Sequence, residues 1–127
     1  MYTWIIEDKL AQSPLPAVSM LNSIAKVFTG VVVLPTANEV GPIYLDYLKS
    51  LGVDLLHIPT HDRFPVDLLD ILRASAFIER QLEMGGKVLV HCYGGLGRSG
   101  LITASYLVFK GMSVQSALSH VRERIPG

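Results

Sequence analysis

Along the chain, short apolar runs alternate with segments in which apolar residues recur at every third and fourth position. Short apolar runs, several of them β-branched, predict strands over residues 3–6, 10–13, 31–34, 53–58 and 87–91. Apolar residues that recur at every third and fourth position predict helices over residues 17–28, 43–51, 66–84, 99–110 and 114–125. The first two strands flank the turn-forming residues 7–9 and are expected to form an antiparallel hairpin. The pattern therefore predicts a three-layer α/β domain with a central, mostly parallel sheet, an N-terminal hairpin and helices on both faces.

The pattern also predicts which positions are buried. We expect the strand over 87–91 to be central, because helices must cover both of its faces, and we expect the strongly apolar helix over 99–110 to be buried. Ser113 is the expected N-cap of the last helix. For the helix over 66–84, four positions are expected to face the core: Leu69, Leu72, Ala76 and Leu82.

Length and composition predict one domain over residues 1–127, since half of the residues are hydrophobic and suffice for a single packed core. Eleven basic and eleven acidic residues cancel, which argues against broad nucleic-acid binding and against a polybasic membrane anchor. The chain has one cysteine, no signal-peptide pattern and no apolar run of about 18 residues. We therefore expect a reducing, cytoplasmic location and no contact with membranes.

One segment, HCYGGLGRSG at residues 91–100, concentrates the candidate chemistry between a predicted strand and a predicted helix. A glycine-rich loop can turn its backbone N–H groups inward, and the positive end of the following helix favours an oxyanion at the same point. Arg98 adds a planar fork of donors for two phosphate oxygens. The same positive field is expected to hold Cys92 as a thiolate. The segment thus predicts a loop that binds a phosphate group and carries Cys92 as the nucleophile that attacks it.

A purely structural interpretation of this segment treats Cys92 as a small buried hydrophobe and the glycines as a simple turn. That interpretation explains each residue alone. It does not explain why His-Cys, the glycines, the arginine and Ser-Gly coincide in one strand–loop–helix unit, and the functional interpretation is therefore favoured.

The segment resembles the HCxxGxxR[ST]G signature of cysteine-dependent protein tyrosine phosphatases, and the short chain is similar to their compact dual-specificity branch. DLLHIPTHD at residues 54–62 and VRERIPG at residues 121–127 extend the resemblance over most of the chain. It implies a phosphatase that acts on phosphorylated proteins through a cysteinyl-phosphate intermediate. Phosphotyrosine is the expected target, with phosphoserine and phosphothreonine as further candidates.

Several residues of the segment have expected roles. Cys92 is the candidate nucleophile, and His91 is expected to hold the loop by hydrogen bonds without acting as a base. The resemblance implies that Ser99 stabilises the sulfur as it leaves, whereas the structural alternative is a helix cap. The expected phosphate-binding residues are Tyr93, Gly94, Gly95, Leu96, Gly97 and Arg98.

Asp62 is the candidate general acid, because it lies on a loop that leaves the strand over 53–58. Loops that follow parallel strands meet at one edge of the sheet, so Asp62 can approach Cys92. The other acidic residues nearby begin a strand or lie in the predicted helix: Asp54, Asp67 and Asp70. A plain loop carboxylate is the alternative. Weaker candidates for the pocket are His61, Arg63, Glu39 and Tyr44.

No cofactor or metal is expected, because the histidines and Cys92 do not fall into the paired spacings of metal ligands. Three alternatives to a protein phosphatase remain: a lipid phosphatase, an RNA 5′-phosphatase and a phosphate-binding module without turnover. The uncharged residues between Cys92 and Arg98 disfavour strongly anionic substrates.

The oligomeric state does not follow from the sequence. The resemblance implies a further helix beyond Gly127. Without that helix, we expect the apolar helix over 99–110 to expose a patch and the chain to self-associate.

Overall fold

The computed structural model describes residues 2–61, 66–94 and 97–125. Within these ranges the strands are β1 (Thr3–Ile6), β2 (Leu10–Ser13), β3 (Gly30–Val33), β4 (Asp54–His57) and β5 (Val88–His91). The helices are α1 (Leu21–Val27), preceded by a 3-10 turn at Val18–Met20, α2 (Ala37–Val40), α3 (Tyr44–Ser50), α4 (Leu68–Glu83), α5 (Gly97–Phe109) and α6 (Val114–Arg124). None of the helices in the described ranges is long and apolar enough to cross a bilayer.

The strands form one sheet in the order β1-β2-β5-β3-β4, with β5 in the centre. The β1–β2 pair is antiparallel, and the other neighbouring strands are parallel, which confirms the predicted hairpin and mostly parallel sheet. In the register of the sheet, His91 at the end of β5 lies between Ser13 of β2 and Val33 of β3. The loops that follow these parallel strands therefore leave from one edge.

Two apolar clusters, one on each face of the sheet, confirm the three-layer arrangement. Side chains of successive residues in a strand point to opposite faces, so Val32 and Val90 pack in the cluster that includes α4, α5 and α6. Val31 and Leu89 pack on the other face, against α1 and α3. Because both faces of β5 are covered, all four of its residues are buried.

The prediction of which α4 residues are buried is largely wrong. Leu69 is 68% exposed and Leu72 is 50% exposed, and Ala76 is exposed as well, whereas Leu82 is partly buried against the core as expected. The helix is rotated so that a different set faces the sheet: Ala74, Ser75, Ile78 and Gln81. Apolar character alone does not identify the buried side of α4, because the position of the sheet decides which side chains of the helix face the core.

Helix α5 is also less buried than its apolar sequence predicts. Its sheet-facing side is buried, but Leu101, Val108 and Phe109 are between 37% and 52% exposed. Together with Leu72 of α4 and Val114 of α6, these side chains line a surface groove of about 420 Å³. Apolar residues thus line the surface where the three helices meet.

The start of α6 agrees with the sequence. The Ser113 side chain accepts a hydrogen bond from the backbone N–H of Ser116 at 3.1 Å, as expected for an N-cap.

We predict that Gly86→Ala destabilises the fold by roughly 1–3 kcal/mol, the usual cost of overpacking. A Cβ atom at Gly86 would lie 2.0 Å from the Thr29 Oγ1 atom and 3.0 Å from the backbone oxygen of Gln81. Thr29 has little freedom to move, because its hydroxyl donates to Gln81 Oε1 at 2.7 Å. Denaturant unfolding followed by circular dichroism measures the difference.

Gly100→Ala is the matched control. A Cβ atom there meets Val121 Cγ1 at 3.8 Å and Gln12 Nε2 at 3.9 Å, which are ordinary contacts. Alanine inside a helix should then stabilise by roughly 0.5–1 kcal/mol relative to glycine. Equal unfolding free energies for both variants and the wild type would contradict the steric interpretation.

Candidate active site

The site lies at the carboxyl edge of the sheet, where β5 leads through the glycine-rich loop into α5. The pleat of β5 turns Cys92 toward the face that carries α5, in the same cluster as Val90. His91 lies on the opposite face, in contact with Tyr44 of α3. Cys92 forms no disulfide and is only 2% exposed. The strand therefore separates the sulfur from the imidazole although the two residues are adjacent.

Ser99 contacts the sulfur from the first turn of α5. The distance between Cys92 Sγ and Ser99 Oγ is 3.5 Å, and the Ser99 side chain is fully buried. At this distance the hydroxyl and the sulfur can form a hydrogen bond. The structure thus brings together two of the residues that the sequence selected.

Arg98 is buried beside the loop and is held by two other segments. Its Nη1 and Nη2 atoms donate to the two carboxylate oxygens of Glu39, at 3.0 Å and 3.2 Å. Nη1 also donates to the backbone oxygen of Thr60, in the loop that follows β4. Arg98 is 6% exposed, so these bonds compensate for the removal of a cation from water. Glu39, a weaker candidate in the sequence, is thus part of the site.

Glu39 owes its position to α2, a four-residue helix that the apolar pattern does not predict. Thr36 caps the helix, and its backbone N–H donates to Glu39 Oε1 at 2.9 Å while its hydroxyl accepts from the Glu39 N–H at 3.4 Å. This is a capping box, and the segment Thr-Ala-Asn-Glu carries its sequence signature. The hydrogen bond from Arg98 lowers the pKa of Glu39 to about 2, so the carboxylate is charged at neutral pH.

His91 takes part in a buried hydrogen-bond chain behind the loop. Its Nε2 atom lies 2.8 Å from the Tyr44 hydroxyl, and its Nδ1 atom lies 3.3 Å from the Cys92 backbone oxygen. The Cys92 carbonyl oxygen can only accept, so the ring hydrogen of neutral His91 lies on Nδ1 and Nε2 accepts from the Tyr44 hydroxyl. Burial raises the pKa of Tyr44, which therefore keeps the hydrogen that it donates.

Burial also lowers the pKa of His91 to about 4. The imidazole is consequently neutral near pH 7, as the hydrogen-bond chain requires. Tyr44, the second weaker candidate from the sequence, is the residue that completes this chain.

The exposed rim of the loop is only partly described. Tyr93 is 55% exposed, and its backbone oxygen accepts from the Leu15 N–H at 3.1 Å, which ties the loop to the segment after β2. Gly94 and Gly97 are exposed, whereas Gly95 and Leu96 lie outside the described residues.

The loop after β4 approaches the site through Thr60, and His61 next to it is exposed. The candidate acid Asp62 and its neighbour Arg63 lie outside the described residues. The sequence-based expectation for Asp62 therefore stays a prediction.

Two buried polar residues beneath the sulfur were not predicted from the sequence. Gln12 of β2 is 1% exposed and lies 3.5 Å from Ser99 Oγ through its Nε2 atom. The Thr103 hydroxyl, one turn further along α5, donates to Gln12 Oε1 at 2.6 Å. A glutamine two positions after Leu10, on the same side of the strand, is the signal that could have revealed this pair.

The comparison with protein families gives one match that spans most of the chain. Residues 18–127 match the model of the dual specificity phosphatase catalytic domain.

Curated relatives resemble this chain over part of their own length. Dual specificity protein phosphatase Mpk3 of Drosophila melanogaster is 35% identical over 82 residues, which is 63% of this chain and 20% of that protein. Phosphatidylglycerophosphate phosphatase PTPMT2 of Arabidopsis thaliana is 40% identical over 80 residues, which is 61% of this chain and 35% of that protein. The chain thus spans about a third or less of each of these relatives.

A solved structure matches nearly the whole chain. The crystal structure of Tk-PTP in the active form superposes with a TM-score of 0.93 at 37% sequence identity and covers 99% of this chain and 85% of that one. The α/β architecture is therefore shared with this structure.

We predict that the stability contributed by neutral His91 is lost in mild acid. The unfolded chain binds a proton near the ordinary histidine pKa of about 6.5, whereas the folded chain binds it only near pH 4. This contribution is complete above about pH 6.5 and falls as the pH drops toward about 4, with a slope of up to about 1.4 kcal/mol per pH unit. Urea unfolding of wild type and His91→Gln between pH 7 and pH 5 measures it.

The variant should be less stable at pH 7 and should lose less stability on acidification, because residue 91 no longer titrates. Glu39 does not interfere, since its carboxyl titrates between its ordinary value and about pH 2. Parallel pH profiles for the two proteins would contradict the assignment of a neutral, buried His91.

Proposed function

The chain belongs to the dual specificity phosphatase catalytic-domain family, and from this premise we propose that it hydrolyses phosphomonoesters on protein side chains through a cysteinyl-phosphate intermediate. The observation that carries the proposal is the buried Cys92 sulfur, 3.5 Å from the Ser99 hydroxyl at the start of α5. A sulfur at a helix N-terminus is favoured as an anion, and an anion is what attacks phosphorus.

In the first step, the Cys92 thiolate attacks phosphorus, the S–P bond forms and the P–O bond to the side chain breaks. We assign to Asp62 the proton that the leaving oxygen takes up, because a phenoxide or alkoxide leaves poorly without one. In the second step, water attacks phosphorus, Asp62 takes back a proton and Cys92 leaves as thiolate. Ser99 then donates a hydrogen bond to the leaving sulfur.

Arg98 is the proposed phosphate-binding cation. One edge of its guanidinium, Nη1 and one Nη2 hydrogen, bonds Glu39 and the Thr60 oxygen. We assign the other edge, Nε and the second Nη2 hydrogen, to two oxygens of the transferring phosphoryl group. Glu39 acts as a positioning residue in this assignment, since its carboxylate sets the plane of the fork.

His91 is proposed as structural support for the loop. A neutral imidazole that accepts from Tyr44 and donates to the Cys92 oxygen holds the backbone at the nucleophile. A thiolate that is already ionised needs no base, so the buried ring has no proton to remove.

The substrate class is the finer part of the proposal. Residues 93–97 carry no charged side chain, which favours a single phosphomonoester over a strongly anionic polyphosphate. We propose phosphotyrosine in proteins as the substrate, with phosphoserine and phosphothreonine admitted as well. A phospholipid is the second candidate, because PTPMT2, 40% identical over its matched part, is named as a phosphatidylglycerophosphate phosphatase.

We predict that the wild type releases phosphate from an aryl phosphate and from phosphotyrosine peptides, and that Cys92→Ser abolishes release while phosphate or vanadate still binds. Binding should persist because Arg98 and the loop backbone are unchanged. Phosphate release assays and equilibrium binding by calorimetry measure both properties.

The same assay distinguishes the alternatives. Faster hydrolysis of phosphatidylglycerophosphate in vesicles than of any phosphopeptide would replace the protein substrate by a lipid. Binding without turnover by the wild type would identify a phosphate-binding module. Full activity of Cys92→Ser would exclude a cysteinyl intermediate.

We predict that Asp62→Asn reduces the rate on phosphotyrosine by roughly 10²-fold to 10⁴-fold, the usual contribution of general acid catalysis. The rate on an aryl phosphate with an activated leaving group should fall less, because such a leaving group departs without a proton. The decline of the wild-type rate on the alkaline side should flatten in the variant, since that limb reports loss of the Asp62 proton. Rates against pH for aryl phosphates of different leaving-group acidity measure this.

Asp67→Asn is the matched control. Asp67 caps α4 by accepting from the Leu69 N–H at 3.1 Å, and asparagine can make the same bond. An Asp62→Asn enzyme that keeps the alkaline limb and the wild-type dependence on leaving group would rule out Asp62 as the acid.

A further inference from the structure

Gln12 is a buried amide placed between two hydroxyl groups of α5. It lies on β2, opposite Val90 of β5, with its side chain on the face covered by α5. Thr103 Oγ1 is 2.6 Å from Gln12 Oε1, and Ser99 Oγ is 3.5 Å from Gln12 Nε2. Ser99 and Thr103 are four residues apart and lie on the same side of the helix. The amide thus spans one turn of the helix directly beneath the sulfur of Cys92.

A polar group at this position has an energetic cost that an apolar residue would avoid. Gln12, Ser99 and Thr103 are each at most 1% exposed, so each must find its hydrogen bonds within the protein. A leucine on β2 would fill the same volume without that requirement. The polar chain therefore needs an explanation other than packing.

The direction of the hydrogen bonds supplies one. The Thr103 hydroxyl donates to Oε1, which turns the Nε2 end of the amide toward Ser99. An N–H from Gln12 directed at Ser99 Oγ uses a lone pair of that oxygen, so Gln12 does not accept the hydroxyl hydrogen of Ser99. Cys92 Sγ also lies 3.5 Å from Ser99 Oγ.

The charge on the sulfur makes this direction important. While Cys92 is a thiol, its S–H can donate to Ser99 Oγ. Once Cys92 is a thiolate, sulfur can only accept, so a hydrogen bond between the two needs Ser99 as the donor. A side chain at position 12 that accepted from Ser99 would compete with sulfur for the same hydrogen. A donor at that position leaves the hydrogen to the sulfur.

We propose that Gln12 is a positioning residue, which orients the Ser99 hydroxyl so that it donates to the Cys92 thiolate. The proposal rests on the proposed function, since it concerns the nucleophile and leaving group of that reaction. In this proposal Gln12 acts through Ser99. It should favour the thiolate in the resting enzyme and the departure of sulfur from the phosphoenzyme, while leaving substrate binding unchanged.

Two substitutions at position 12 test the direction of donation. Gln12→Glu replaces the donor by a group that accepts from Ser99 and adds negative charge, so the acid limb of the rate profile should move up by about 1 pH unit or more. Gln12→Leu removes one hydrogen bond, so kcat should fall roughly 3- to 10-fold. KM for an aryl phosphate should stay within about 2-fold in both, because the phosphate site is untouched.

Alkylation of Cys92 by iodoacetamide against pH gives a readout that does not require turnover. The midpoint of the alkylation profile should rise in the order wild type, Gln12→Leu, Gln12→Glu. The other titratable groups at this edge among the described residues are the same in all three proteins: Glu39, Tyr44, His57, His61, His91, Tyr93 and Arg98. If the wild type proves inactive on phosphate esters, the proposed function fails while the alkylation profile still tests Gln12.

A double-mutant cycle separates positioning from simple packing. Gln12→Leu should have its full effect in the wild-type background and almost none in Ser99→Ala, because its action passes through that hydroxyl. Thr103→Val, which leaves Gln12 in place but removes the donor that orients it, should shift the alkylation midpoint in the same direction even if Gln12→Leu folds poorly. Additive effects in the cycle, an unchanged midpoint in Thr103→Val and Gln12→Glu, or a midpoint that falls in Gln12→Leu would each overturn the proposal.

Discussion

The ion pair between Arg98 and Glu39 holds the site together. A guanidinium that is 6% exposed must be paired, because an isolated buried charge is far too costly. Its partners come from two segments that are distant in sequence, Glu39 of α2 after β3 and the Thr60 oxygen after β4. Arg98 itself follows β5. One cation therefore fixes the relative positions of three loops that leave the same edge of the sheet.

The pleat of β5 places the other buried residues of the site on opposite faces of the sheet. On one face, His91 and Tyr44 form a neutral hydrogen-bond pair that reaches the Cys92 oxygen. On the other face, Cys92 meets Ser99, and Ser99 meets Gln12. Cys92 is thus contacted on one face of the sheet through its backbone oxygen and on the other face through its sulfur. A shift of β5 by one residue would exchange these two surroundings.

Helix α5 carries buried hydroxyl groups within its mainly apolar sheet-facing side, and it also exposes apolar residues on its outer side. Side chains of α5 that face the sheet include Ser99 and Thr103, whereas Leu101 and Phe109 face outward. Because apolar residues occur on both sides of α5, its apolar sequence is a poor guide to its buried face. The exposed apolar residues line the groove between α4, α5 and α6.

The sequence by itself determined the order of the strands and of the helices other than α2, the hairpin, the central position of β5 and the location of the candidate phosphate-binding segment. These features depend on local periodicity, on turn residues and on a motif within ten consecutive positions, all of which can be read along the chain. The N-cap at Ser113 was equally local. Even the short helix α2 had a local signature, the capping box of Thr36 and Glu39.

Only the tertiary structure decided which side of α4 is buried and which distant residues meet. The choice of Ile78 over Leu72 on α4, the pairing of Glu39 with Arg98 and the place of Gln12 beneath Ser99 depend on contacts between segments far apart in sequence. No period along the chain encodes them, because each depends on how one element is rotated and placed against another. The motif identified the candidate nucleophile, and packing between layers decided which buried residues surround it.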